Sequence, residues 1–242
     1  MVYFGFYQDS VDLLKKIFNR LNLIVDGEPA IRFADPEVFR LLLSATVGAY
    51  DNIRKVDADG DGMLTKEELA TITTLSSRND NVYSMFKDNT SIERFNEFRY
   101  FTGLELINNG CFQGCTSLRE IIIPPSTILG NYVFNRSGIE KVVIPEGYLT
   151  VGENVCDGAY NCRLIDFPST ITSIGMSLIR SVNNVTTIIC RAITPPSFGG
   201  FGYNGIPVAI YVPDASVDAY KLTAGWSLQA AKIYPLSTYV EP

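Results

Sequence analysis

From residue 90 onward one line of sequence keeps returning. It reads Leu118-x-x-Ile121-x-Ile123-Pro124, Ile139-x-x-Val142-x-Ile144-Pro145, Cys162-x-x-Ile165-x-Phe167-Pro168, Val185-x-x-Ile188-x-Cys190-Arg191 and then Ile210-x-Val212-Pro213. The last column falls at 124, 145, 168, 191 and 213, in steps of 21, 23, 23 and 22 residues. A second column keeps the same phase at Asn108, Gly130, Gly152 and Gly175. Three and four residues after each stands a mostly apolar pair: Cys111-Phe112, Val133-Phe134, Val155-Cys156 and Leu178-Ile179. A fixed period of this length means stacked coils, because one such unit cannot bury its apolar side alone and must lay it against its neighbours. The repeated lines predict short strands that turn one set of side chains into a core. The Pro that follows most of them has no N–H to give a ladder, so it closes the strand. Gly and Asn tolerate left-handed backbone, so the second column predicts a fixed left-handed turn in every coil. About four or five coils fit residues 91–205.

The segment before the repeats carries a different signal. Residues 57–68 place Asp57, Asp59 and Asp61 at positions 1, 3 and 5 of a twelve-residue loop, with Gly62 at the sharp turn. Met63 would offer its backbone carbonyl, Thr65 would act directly or through water, and Glu68 at position 12 could bind through both oxygens. Leu64 is the apolar residue expected to pack inward. This set of hard oxygen donors at this spacing points to Ca2+. Thr65 and Glu68 also form a capping box for an exit helix over 66–75. Upstream, Asp35 and Pro36 predict the start of a helix with Val38, Leu41, Leu42 and Ala45 on its apolar face, continuing or bending at Gly48. Residues 9–25 predict an amphipathic helix carrying Val11, Leu14, Phe18 and Leu21. A single calcium loop beside a solenoid is expected to fix local structure rather than to signal.

Taken together, the lines above, with Phe101-Thr102-Gly103-Leu104 leading into Cys111 to Leu118, resemble the BspA-like leucine-rich repeat. Phe33 to Pro36, the acidic loop and Phe95 to Gly103 are similar to the segment that precedes that repeat in bacterial surface proteins. The tail with Tyr211 to Asp214, Ala219-Tyr220 and Gly225-Trp226-Ser227 is similar to their terminal cap. The resemblance spans roughly residues 31–236 and implies a surface-exposed recognition or adhesion protein that binds a protein or glycan. The expected fold is α+β: an N-terminal helical segment (1–30), a small helical EF-hand-like region (31–90), the leucine-rich-repeat solenoid (91–205) and a C-terminal cap (206–242).

Composition mainly excludes. The chain has no histidine, which removes histidine acid–base chemistry, Ser/His and Cys/His nucleophile pairs and histidine-bound zinc. A net charge of -6 argues against nucleic acid as a partner. Five cysteines in no CxxC pair read as buried thiols in the repeat columns, with a disulfide among them left open. No apolar run approaches the length of a membrane span. Met1 to Asp9 shows neither a basic stretch nor a small-residue cleavage site, so no export signal is expected in the chain as written. That expectation favours a second reading, a structural virion component such as a phage fibre or decoration subunit, assembled as an oligomer through residues 1–30. No P-loop or G-x-G-x-x-G occurs, no catalytic residue is identified, and a carboxylate pair brought together from distant positions stays open. The glycine-rich stretch Phe198 to Gly205 is either a contact loop or a set of rings folded over the last coil. Tyr132, Tyr148 and Tyr160 lie near turns as candidate contacts.

Overall fold

The computed structural model describes residues 30–47, 54–73, 86–126, 128–181, 185–203, 207 and 209–241. The expected helix over 9–25 lies outside them. The chain opens with α1 (Pro36–Leu43), β1 (Thr46–Val47), β2 (Arg54–Lys55) and α2 (Lys66–Ala70). Then come β3 (Arg94–Phe95), a 3-10 turn (Asn96–Tyr100), β4 (Leu106–Ile107), β5 (Glu120–Ile121), β6 (Ile128–Leu129) and β7 (Lys141–Val143). They are followed by β8 (Thr150–Val151), β9 (Leu164–Phe167), β10 (Ser173–Ile174), β11 (Thr187–Cys190), β12 (Ser197–Phe198) and β13 (Ala209–Val212). α3 (Val217–Leu222) and β14 (Ile233–Pro235) close the series.

Two parallel sheets result, one on each side of the coils. One is ordered β4-β6-β8-β10-β12 and the other β7-β9-β11-β13-β14. The pair β3-β5 precedes the second sheet, and Glu140 N donates to Arg119 O at 3.3 Å across the join. The register Val142, Ile165, Ile188, Ile210, Ile233 stacks one buried column through five strands. Parallel strands with few short helices are what a leucine-rich-repeat fold requires. Ile92-x-x-Phe95 adds a line at the start of the expected solenoid, both residues buried, and Ile233 carries the column past residue 205 into the expected cap.

The glycine column is present, but its physical cause differs from expectation. Gly130, Gly152 and Gly175 do not adopt left-handed backbone; they are glycine because coils touch there. A Cβ on Gly152 would lie 2.5 Å from the carbonyl carbon of Gly130, and one on Gly175 2.6 Å from that of Gly152. The left-handed residues stand two and six positions further on. Gly110, Tyr132, Asn154 and Ser177 have φ of 68°, 59°, 55° and 57°, and Gly114, Arg136, Gly158 and Ser181 have 73°, 54°, 69° and 63°. The conformation turns backbone N–H groups forward: Tyr132 N donates to Glu153 O at 2.9 Å and Arg136 N to Asp157 O at 2.8 Å. A non-glycine residue there costs about 1–2 kcal/mol, which the bonds between coils offset. Asparagine side chains add to the ladder, with Asn131 N donating to Asn109 Oδ1 and Glu153 N to Asn131 Oδ1, both at 2.8 Å.

Both ends of the core are sealed by rings. Phe86, Phe95, Phe98, Phe101 and Phe112 close the front, and Trp226 closes the rear against Phe198, Phe201 and Tyr220. Asp35 joins the front segment to the solenoid. Its Oδ1 accepts from Glu37 N at 2.9 Å as the cap of α1, and its Oδ2 accepts from Glu93 N at 2.7 Å beside β3. Asp35→Ala removes a helix cap and leaves a partly buried N–H without its acceptor, so a loss of about 2–3 kcal/mol is expected. Chemical denaturation of the variant measures it. A loss within about 0.5 kcal/mol, the range of ordinary surface changes, would show that this joint carries no stability.

Candidate metal loop and recognition face

The acidic loop is built by its own backbone. Gly60 and Gly62, with φ of 73° and 81°, let the chain fold back over Asp57, whose Oδ1 accepts from Gly60 N at 2.9 Å and Oδ2 from Gly62 N at 3.2 Å. Asp59 Oδ1 accepts from Asp61 N at 3.0 Å, and Asp61 Oδ1 from Met63 N at 2.7 Å. One carboxylate oxygen from each of Asp57, Asp59 and Asp61 falls within 4.8 Å of the other two. Among the described residues this is the one such cluster of histidine, cysteine or carboxylate groups. Burial raises the pKa of Asp57, against the N–H bonds that lower it and with Glu68 and Asp59 raising it further. Burial raises Asp61 too, with Asp59, Asp57 and Glu68 adding to it. Three carboxylates crowded on one short loop suit a hard divalent cation.

Glu68 stands close to this group but not within it. Its Oε1 accepts from Ala58 N at 2.8 Å, and its Oε2 accepts from Thr65 N at 2.9 Å and Thr65 Oγ at 3.1 Å. Glu68 N donates back to Thr65 Oγ at 3.2 Å, which completes the expected capping box. Leu64 packs inward as expected, fully buried, and its carbonyl accepts from Ile31 N at 2.8 Å. The helical surroundings are smaller than expected. The exit helix is α2, ending at Ala70 rather than at residue 75, and α1 ends at Leu43, short of Ala45 and Gly48. The loop is entered from β2, which pairs antiparallel with β1, so among the described residues a strand and not a helix leads directly into it.

The outer face of the second sheet offers the other candidate site. Val143, Asp166, Ile189, Tyr211 and Tyr234 stand in register across five strands and alternate with the residues that point into the core. Arg191 grips Asp166 with two bonds, Nε to Oδ1 at 2.9 Å and Nη2 to Oδ2 at 2.8 Å. That contact with Asp166 is the main reason the Arg191 pKa is raised. The other candidate contacts divide. Tyr148 is buried and donates to Pro124 O at 2.9 Å, so it has no recognition role, whereas Tyr132 and Tyr160 are exposed. In the glycine-rich stretch Phe198 and Phe201 fold over the last coil onto Trp226, and Tyr203 points outward. Val143, Asp166 and Ile189 differ in type and only Tyr211 and Tyr234 match, so no residue pattern marks this outer-face column in the sequence.

The thiols do not supply a nucleophile. All five cysteines are buried, and burial pushes Cys115 up to about 12 and Cys190 up to about 11. Cys156 is pushed up first by its hydrogen bond with Cys162 and then by burial. A thiol held neutral in this way is inert. The two buried repeat carboxylates face arginines rather than each other, Asp157 with Arg180 at 3.3 Å and Asp166 with Arg191. Among the described residues no helix is long and apolar enough to cross a membrane. No curated protein matches the chain. The coils do have relatives: residues 83–195 match the family model of the BspA type leucine rich repeat region, in six copies where four or five coils were expected.

Proposed function

We propose that the chain is a noncatalytic protein-recognition module that presents the outer face of its repeat solenoid, with one calcium ion organising the front cap. The observation that carries this reading is the match of the coils to a leucine-rich-repeat family, joined to a continuous, rigid outer face. Proteins and glycans are both compatible with an outer face of aromatics and ion pairs, and the paired Tyr211 and Tyr234 favour a protein. Screening the purified chain on protein, peptide and glycan arrays separates them. Saturable binding to a protein or peptide, lost in Tyr211→Ser and kept in Tyr160→Ser, is the expected result. Binding confined to glycans, or turnover of a bound ligand, would overturn it.

For the metal, Asp57, Asp59 and Asp61 would supply three carboxylates, Met63 its carbonyl, Thr65 its hydroxyl or a held water, and Glu68 both oxygens. A bound ion would supply fixed positive charge and no redox or acid–base chemistry. At about 100-fold excess of calcium over Kd the fold should gain roughly 2.7 kcal/mol. Calorimetric scans with and without calcium measure this gain. Asp57→Asn and Glu68→Gln should each abolish it while the repeats stay folded. The sign with pH follows from the raised pKa values of Asp57 and Asp61. Without metal, a carboxyl whose pKa is raised on folding contributes its stability below its unfolded pKa and loses it as pH climbs through the folded pKa. The calcium increment should therefore grow as pH rises out of the carboxylate range. An unchanged calcium response in both variants would remove the ion from this loop.

A further inference from the structure

The middle of the recognition face is already covered. On β11, Ile188 and Cys190 point into the core, so Ile189 points outward, yet it is only 1% exposed. Asp166, outward on β9, is 8% exposed, while Val143 and Tyr234 at the flanks are 45% and 42% exposed. Arg191 closes over Asp166, and the C-terminal segment that leaves β14 runs across the face beside it. Ser237 N donates to Asp214 Oδ1 at 3.0 Å, and the Tyr239 ring packs on Tyr211 with centroids 5.0 Å apart. Tyr239 also lies near enough to Arg191 to act on its charge, and Glu241 Oε1 accepts from Lys141 Nζ at 3.1 Å on β7. The segment thus crosses from β13 to β7. It is lightly held: Val240 is 82% exposed, and the Lys141–Glu241 pair is solvated on both sides, so the pair contributes about 0–1 kcal/mol.

We propose that the outer face of the second sheet is a docking surface for a peptide carrying an aromatic ring followed two residues later by a carboxylate. Residues 236–241 are the chain's own occupant of that surface, displaced when a partner segment of the same chemistry binds. The inference rests on the protein-recognition reading and adds to it the partner's chemistry. The ring seats on Tyr211 beside the Arg191 guanidinium, and the carboxylate reaches Lys141. Because the tail is tethered next to its seat, its effective concentration is on the order of millimolar. A free peptide meets that competition, and releasing the tail should tighten its apparent binding about 10-fold.

The test uses the full chain and a fluorescent peptide with the sequence of residues 235–241, followed by polarisation. The released chain carries Tyr239→Ser with Glu241→Lys. It should bind the peptide about 10-fold more tightly than the unaltered chain, and Lys141→Glu should weaken that binding several-fold. A peptide with its own Tyr and Glu replaced by Ser and Lys should not bind. A folded released chain that binds no better than the unaltered one overturns the proposal. Should the released chain fail to fold, NMR of the unaltered chain with the peptide at about millimolar concentration, the weakest specific range, gives the same decision. Shifts at Tyr211, Tyr234 and Arg191 support the surface, and none overturn it. An unaltered chain that sediments as a dimer, and a released chain that does not, would put a second copy's tail on the face and overturn the cis occupant. Peptide binding alongside failed protein arrays would leave this surface standing and sink only the broader recognition reading.

Discussion

Gly152→Ala is expected to lower stability by about 3 kcal/mol, at the upper end for one added methyl group in a packed interior. The new Cβ would sit 2.5 Å from the Gly130 carbonyl carbon and 2.6 Å from Asn131 N. Those atoms are backbone, already fixed by the bond from Gly152 N to Leu129 O at 2.7 Å. Neither coil can give way without lengthening the ladder on both sides, and Gly175 rests on Gly152 in the same manner. Gly60→Ala is the matched control. Its Cβ would meet nothing within 4 Å, but its φ of 73° is left-handed, so it should cost only about 1 kcal/mol. Denaturant midpoints of the two variants separate close approach from backbone strain. If Gly152→Ala were no worse than Gly60→Ala, the coils would not be in contact at this column.

That contrast also shows what the sequence could and could not tell. The column at 130, 152 and 175 was legible as a column, but a glycine looks the same whether it serves a left-handed turn or a close approach. The true left-handed positions hold glycine at 110, 114 and 158 but Tyr132, Arg136, Asn154, Ser177 and Ser181 elsewhere, so no single residue type marks either column through all the coils. The strands were legible where apolar alternation kept its spacing of 21 to 23 residues. Ile92-x-x-Phe95 escaped because Phe95 pairs with Ile121, 26 residues on, and no Pro closes its line. Order along the solenoid is what a period encodes. Where the chain folds back across the period, as Glu241 does to Lys141 over 100 residues, no spacing rule applies.

The acidic loop was legible for the opposite reason. Asp57, Asp59 and Asp61 lie within five residues of one another, so their carboxylates come together without help from distant packing. What surrounds a local motif is not local. β1 pairs with β2, so a strand rather than a helix leads into the loop, and Val56, Leu64 and Leu69 belong to the same buried core as the phenylalanines of the front. The loop is tied to the front through Leu64, fully buried with its carbonyl accepting from Ile31 N at 2.8 Å, while Asp35 ties α1 to Glu93 beside β3.

Trp226→Ala is expected to cost about 4 kcal/mol, and its damage should be confined to the rear. The side chain is fully buried, and its ring lies 4.5 Å from Phe198 and 5.1 Å from Tyr220. Its Nε1 donates to Pro196 O at 3.0 Å, so truncation also strands a buried acceptor. In a solenoid each coil leans only on its neighbours, so a lost end cap loosens the coils in order from that end. Hydrogen exchange should show protection falling over β11, β13 and β14 while β5 and β7 keep theirs. Trp226→Phe, which keeps the ring but not the donor, should retain most of the protection. Because Trp226 is the single tryptophan of the chain, its fluorescence in the unaltered protein follows the rear cap alone. Calcium at the front should move the calorimetric transition of the first coils more than the fluorescence transition of the last. Coincident transitions under all conditions, with exchange rising equally from end to end in Trp226→Ala, would mean that the coils unfold as one unit and that neither cap acts locally.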